Sequence, residues 1–181
     1  MTPDQFKKWC PGLWHVAPAG AWEQIREQGF KTAAQLIVDA GDDPAAPPAR
    51  RRNVDDFGGD EAASKWVDHL NSRVYLFASR APMDKMLAKY TAADGAQDVL
   101  ILSTQRLLDA VRPAMQLSSQ NSSAITRVPA PEKAAEMFVS LARFPDKRPA
   151  EVTVVDGFDA KGIVIRAERH YADGHYEVLA V

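Results

Sequence analysis

"LWHVAPAGAWEQIREQGF", residues 13–30, packs a strand, a turn and a helix into one short stretch. Leu13 to Val16 is apolar enough for a strand, and Pro18 to Gly20 is a small-residue turn. Trp22, Ile25 and Gly29 then fall on one helical face, with Gly29 placed to end the helix. A single imidazole, His15, stands in the strand. If Leu13 is buried, alternation puts His15 on the same face and Trp14 on the other. Two readings follow: a satisfied core histidine, or a ring that hydrogen-bonds a sugar hydroxyl where a strand hands over to a helix.

Around that stretch the pattern alternates between helix and strand. "DQFKKW" reads as a short helix ended by Pro11-Gly12, and Thr32 with Gln35 has capping-box spacing for another. Residues 41–60, "GDDPAAPPARRRNVDDFGGD", hold three Pro, three Gly and mixed charge blocks, and read as a long surface loop without a core face. "EAASKWVDHLN" is helical through Ala62, Trp66 and Leu70. "RVYLFAS" and "DVLILS" are apolar on both faces, as central strands are. "PMDKMLAKY" and "TQRLLDAV" are helices, the first with Pro82 near its start. "AMQLSS" is a further strand candidate, and "PEKAAEMFVSLARF" reads as one amphipathic helix through Ala135, Phe138, Val139 and Ala142. "EVTVV" and "GIVIRAERHY" are strands. Asp173-Gly174 reads as a two-residue hairpin turn, setting His175 opposite Ala172 and His170 opposite Glu177. The βαβ rhythm of a doubly wound fold is incomplete. The expectation is an α+β chain, residues 1–181 as a single domain, with a bent mixed or antiparallel sheet and flanking helices.

Composition narrows the function classes. The chain of 181 residues is 46% hydrophobic and 25% charged with a net charge of −2, which predicts a soluble globular domain without a global field toward nucleic acid or membrane. Cys10 is alone, so no intramolecular disulfide forms, as expected for a reducing compartment. No stretch reaches membrane-spanning length and the start lacks a signal-peptide core, so the expected location is cytoplasmic. There is no Gly-rich phosphate loop, no Gly-x-Ser-x-Gly elbow and no helical metal-ligand pair, and the four His are scattered, so no metal is expected.

Four other features are candidates for chemistry. Tyr75 and Phe77 are either plain core or rings that stack on a flat ligand. Glu151 stands at the entry to an apolar strand. It is either a solvated edge residue, or a carboxylate that grips a ribose hydroxyl and stabilises an oxocarbenium ion in glycosyl transfer. "SSQNSSA", residues 118–124, is either an exposed loop or a polar pocket wall containing Asn121. Arg50, Arg51 and Arg52 either grip phosphates or are neutralised by nearby Asp55 and Asp56.

Taken in order, "LWHVAPAGAWEQIREQGF", "RVYLFAS" and "AEVTVVDGF" resemble the ADP-ribosyltransferase-like fold, and within it the DarT family of DNA-modifying toxins and a related uncharacterised bacterial family. The resemblance implies an NAD-dependent transferase, toxin-related, that moves ADP-ribose to a nucleic-acid or protein acceptor. It implies an NAD cleft in which His15 bonds a ribose, Tyr75 or Phe77 walls the nicotinamide, and Glu151 stabilises positive charge as nicotinamide leaves. Asn121 joins the cofactor contacts, and Arg50, Arg51 and Arg52 join the acceptor or phosphate contacts. Related sequences carry Thr two residues after the His and Asn six after it; here those positions are Ala17 and Ala21. Two rival outcomes share the fold: an NAD hydrolase with water as acceptor, and a binding module without catalysis. A purely structural partner protein is the third.

Overall fold

The computed structural model describes residues 1–41 and 52–181. Among the described residues the first half runs α1 (Pro3–Trp9), β1 (Gly12–Pro18), α2 (Ala21–Gln28), α3 (Ala33–Ala40), α4 (Glu61–Asn71), β2 (Arg73–Phe77) and α5 (Arg80–Asp94). The second half runs β3 (Gln97–Ser103), α6 (Thr104–Val111), β4 (Met115–Ser118), α7 (Pro131–Met137), β5 (Val139–Ser140), β6 (Glu151–Val155), β7 (Val164–His170) and β8 (Tyr176–Leu179). The strands form one eight-stranded sheet in the order β5-β4-β6-β2-β1-β3-β7-β8. Every neighbouring pair is antiparallel, so the fold is α+β and its sheet is antiparallel throughout rather than mixed.

Local chemistry sets several boundaries. Thr2 and Gln5 close a capping box on α1, and Thr32 and Gln35 close the one that their spacing predicts on α3. Gly29 ends α2 with φ +80° and lies where Phe30 pairs with Phe158 as an isolated bridge. That crossing is tight, for a Cβ on Gly157 would sit 2.3 Å from the Phe30 carbonyl oxygen.

Three expectations change. The helix expected over residues 131–144 stops at Met137: Phe138 is extended, and Val139 and Ser140 pair with Leu117 and Gln116 as an edge strand. Strand pairing here outweighs the helical spacing of the apolar residues. The terminal hairpin is shifted by one residue, with His170 opposite Tyr176 and Arg169 opposite Glu177. Its loop has three residues, closed by Gly174 at φ +88° with the Gly174 N–H donating to the Tyr171 carbonyl, the form that ends in a left-handed glycine. Residues 42–51 of the expected 41–60 loop lie outside the described residues; beyond them, Phe57 at the end of the 3-10 turn Val54–Phe57 is buried against α4.

Alternation sorts the sheet into two faces. Leu13, Leu76, Leu100, Leu102, Met115, Leu117, Val152 and Val154 line the principal core, closed by Phe6 of α1, Trp22 of α2 and Leu107 of α6. The other face is covered in two places. Helix α5 lays Met83 and Leu87 on Val16 and Val99, and α4 lays Trp66, Val67 and Leu70 beside Met137, Phe138 and Tyr75. β1 and β2 are joined only at Trp14 and Phe77, whereas β1 and β3 pair from Gly12 to Pro18, so the sheet opens between β1 and β2.

Candidate active site

Glu151 is the first residue of β6 and pairs with Phe77 on one side and Ser118 on the other. It is only 8% exposed, so it is not a solvated edge residue. The backbone N–H of Ser122 donates to its Oε2 at 3.1 Å and the Ser122 hydroxyl to its Oε1 at 3.2 Å. Burial pushes the carboxyl up to about 7, although the two Ser122 donors and the Arg52 guanidinium pull the other way. A carboxylate that changes charge near neutral pH at the mouth of a strand is a candidate for chemistry on physical grounds.

Tyr75 lies on the same face as Glu151, two residues before Phe77 on β2, and its hydroxyl donates to the Leu70 carbonyl at 2.8 Å. Burial raises its pKa, and the neighbouring Glu151 charge raises it further. Arg52 completes the group. Its main chain is pinned by reciprocal 3.0 Å bonds with the Asn71 side chain, and its guanidinium lies 5.6 Å from the Phe57 ring centroid. Its Nη2 donates to the carbonyls of Ser122, at 2.8 Å, and Ile125, at 3.3 Å. Asn121 is the residue before the 3-10 turn Ser122–Ala124 and is half-buried beside this cluster. Within "SSQNSSA", Ser118 and Ser122 are buried, Asn121 is half-buried, and Ser119, Gln120, Ser123 and Ala124 are exposed.

His15 is not brought to Glu151. Trp14, Phe77 and Glu151 share one row and one face, so His15, next to Trp14, projects to the opposite face. Its Nδ1–H donates to the Tyr75 carbonyl at 2.9 Å, and its ring meets Phe30 edge-on at 5.2 Å. Phe30 in turn stacks on Phe158 at 4.5 Å. The imidazole thus ties β1 to β2 just where their ladder gives out, and its connection to Glu151 runs through Tyr75. A shared His15–Glu151 cleft, expected from the sequence, is corrected by this parity. Phe77 is a packing residue, set against Val16, Met83, Leu87 and Val99. Arg50 and Arg51 lie outside the described residues.

Two polar groups were not singled out from sequence. Asp98, fully buried on β3 opposite Ala17, accepts from the backbone N–H groups of Gly20 and Trp22 and so caps α2, while Arg169 bonds both its oxygens. The N-terminus of α2 is thus held by the chain's own carboxylate. The second group lies under α4. His69 stacks on Trp66, and Arg73 lies over Phe138 and donates to the His69 carbonyl. Burial, then the Arg73 charge, lowers the His69 pKa to about 4. Neither group carries a motif: each depends on pairings between strands or helices far apart in the chain.

Residues 53–160 match the model of a family described as a family of unknown function, DUF7002. The chain belongs to DUF7002. The span shared with DUF7002 contains Tyr75, Phe77, Asp98, Asn121, Ser122 and Glu151, and begins one residue after Arg52. No curated protein matches this DUF7002 chain. Among solved structures it is similar to EcPltA, with 10% identity and a TM-score of 0.45 over 94% of this chain and 83% of that one. Among its described residues no helix is long and apolar enough to cross a membrane, and no three His, Cys, Asp or Glu side chains cluster to hold a metal ion.

Proposed function

We propose that this DUF7002 chain is an ADP-ribosyltransferase-like protein that takes NAD as co-substrate, with Glu151 as its catalytic carboxylate. One observation carries the reading: the glutamate singled out by the motif order is a buried carboxylate at a strand mouth, grouped with Tyr75, Ser122 and Arg52. In such a reaction the bond from the ribose anomeric carbon to the nicotinamide nitrogen breaks, and the bonding pair leaves with nicotinamide. The ribose is left with oxocarbenium character, which an ionised Glu151 stabilises by its charge and by accepting from a ribose hydroxyl. The acceptor's nucleophile then bonds to the anomeric carbon and gives up its proton. Tyr75 offers the aromatic wall and Asn121 an amide at the rim. His15 acts one step back as a positioning residue, holding the Tyr75 backbone.

The acceptor class in this proposal is a nucleic acid or a protein, as in a toxin-like transferase, with water as the hydrolytic variant. The test is calorimetric titration with NAD, followed by incubation of the chain and NAD with DNA, RNA and protein mixtures and a search for ADP-ribose adducts by mass. Adducts support transfer, and free ADP-ribose alone supports hydrolysis. Absence of both NAD binding and nicotinamide release would remove the proposal.

A non-catalytic binding module is the second reading, and a specific observation favours it. Each Glu151 oxygen already accepts from Ser122, and Ala17 on β1 and Ala21 at the start of α2 bring no polar side chain. That reading predicts NAD binding without nicotinamide release.

A further inference from the structure

The stretch between β4 and α7 is weakly tied to the body of the protein. From Ser119 to Ala130 the only buried residue is Ser122, and the only helical turn is Ser122–Ala124. Ser122 is also the residue that caps both oxygens of Glu151. The Arg52 guanidinium reaches across from the other side of the chain to the carbonyls of Ser122 and Ile125, one at each end of that turn. Arg52 is well placed to hold it, since its own main chain is fixed to Asn71 by two bonds and its guanidinium faces Phe57. Among the described residues its other packing is partial, with Ile125 and Val128 half-buried against the α4 cluster. Segments with few buried apolar contacts are the ones that open locally, well below the free energy of global unfolding.

We infer that the Ser122–Ile125 turn is a cover over Glu151 and that Arg52 is the latch that keeps it shut. A ligand reaches the carboxylate when the two guanidinium–carbonyl bonds open and Ser122 lifts away. Under the function proposed above, on which this inference rests for its ligand, that ligand is the ribose of NAD, and the closed form is the resting state.

The experiment is hydrogen exchange on the full chain, read by mass spectrometry, together with coupling of Glu151 to an amine by a water-soluble carbodiimide. In Arg52→Gln the amides of Ser122 and Ile125 exchange at least about tenfold faster, as expected for loss of charge-assisted bonds. Glu151 couples faster by a similar factor, while β3 and β6 keep their protection. Asn71→Ala, which frees the Arg52 main chain without touching Ser122 or Glu151, shows the same faster exchange and coupling and decides the matter if Arg52→Gln unfolds. Unchanged exchange and coupling in a folded Arg52→Gln, or in Asn71→Ala where that variant decides, would overturn the latch. Neither readout uses NAD, so the latch and the NAD reading fail separately: faster coupling with no NAD binding keeps the cover and discards the substrate.

Discussion

At the scale of single residues, Glu151 and His69 pull stability in opposite directions with pH. Glu151 has its pKa raised by burial from 4.5 to about 7, so its neutral form is the one the fold prefers. Its stabilising contribution is complete below its unfolded pKa and is lost as pH rises through about 7, on the order of 3 kcal/mol when fully ionised. Glu151→Gln is therefore expected to raise the melting temperature at pH 8 more than at pH 5, and equal shifts at both pH values would contradict the assignment. For His69 the sign reverses: with a pKa lowered to about 4, its contribution is present above 6.5 and is lost as pH falls through about 4. His69→Gln should consequently flatten the decline in melting temperature between pH 6.5 and 4. Any catalysis that needs ionised Glu151 also gains rate as pH rises through about 7, and a kcat/KM profile for nicotinamide release would show that limb. The place of Glu151 at the start of a strand was legible because the β-branched run after it is a local signal, but its burial was not. His15 was legible as a strand residue, but its face relative to Glu151 was not. That relation depends on the β1–β2 and β2–β6 registers, which no single segment encodes.

Among the elements, the crossing of Gly29-Phe30 with Gly157-Phe158 ties the end of α2 to the end of β6. Gly157 sits at φ +82° with the Phe30 carbonyl in the space a Cβ would take. Gly157→Ala should cost more than about 2 kcal/mol, combining a left-handed backbone with a backbone clash. Gly174→Ala, at φ +88° in open space, should cost only about 1 kcal/mol. Similar losses for both in urea denaturation would show that the crossing is looser than described. The capping of α2 makes a second case. Asp98→Ala removes the acceptor for Gly20 and Trp22 and leaves Arg169 only its longer contacts to Glu23, so a loss of about 2 kcal/mol is expected in the same measurement. Helix starts such as Thr32 with Gln35 were readable because capping-box spacing is local. The α2 cap was not, because its acceptor comes from β3. The end of α7 departs from the helical spacing for the same kind of reason: Val139 leaves that pattern to pair with Leu117 on β4.

For the whole molecule, the continuous apolar runs of "RVYLFAS" and "DVLILS" signalled strands covered on both faces, and both lie inside the eight-stranded sheet. The strand order itself was hidden, since every neighbour of β2 and β6 is distant in sequence. Sheet order and register decide the site. They put β6 beside β2, open the sheet between β2 and β1, and leave Glu151 buried beneath a thinly anchored turn rather than facing His15 across a cleft. The account's central claim is that this carboxylate works on NAD. The direct measurement is nicotinamide release from NAD by the wild-type chain and by Glu151→Gln, with equal folding of both checked by circular dichroism. The account predicts release by the wild type and a loss of about a hundredfold or more in the variant. Equal rates in the two proteins, or no release by either, would contradict it.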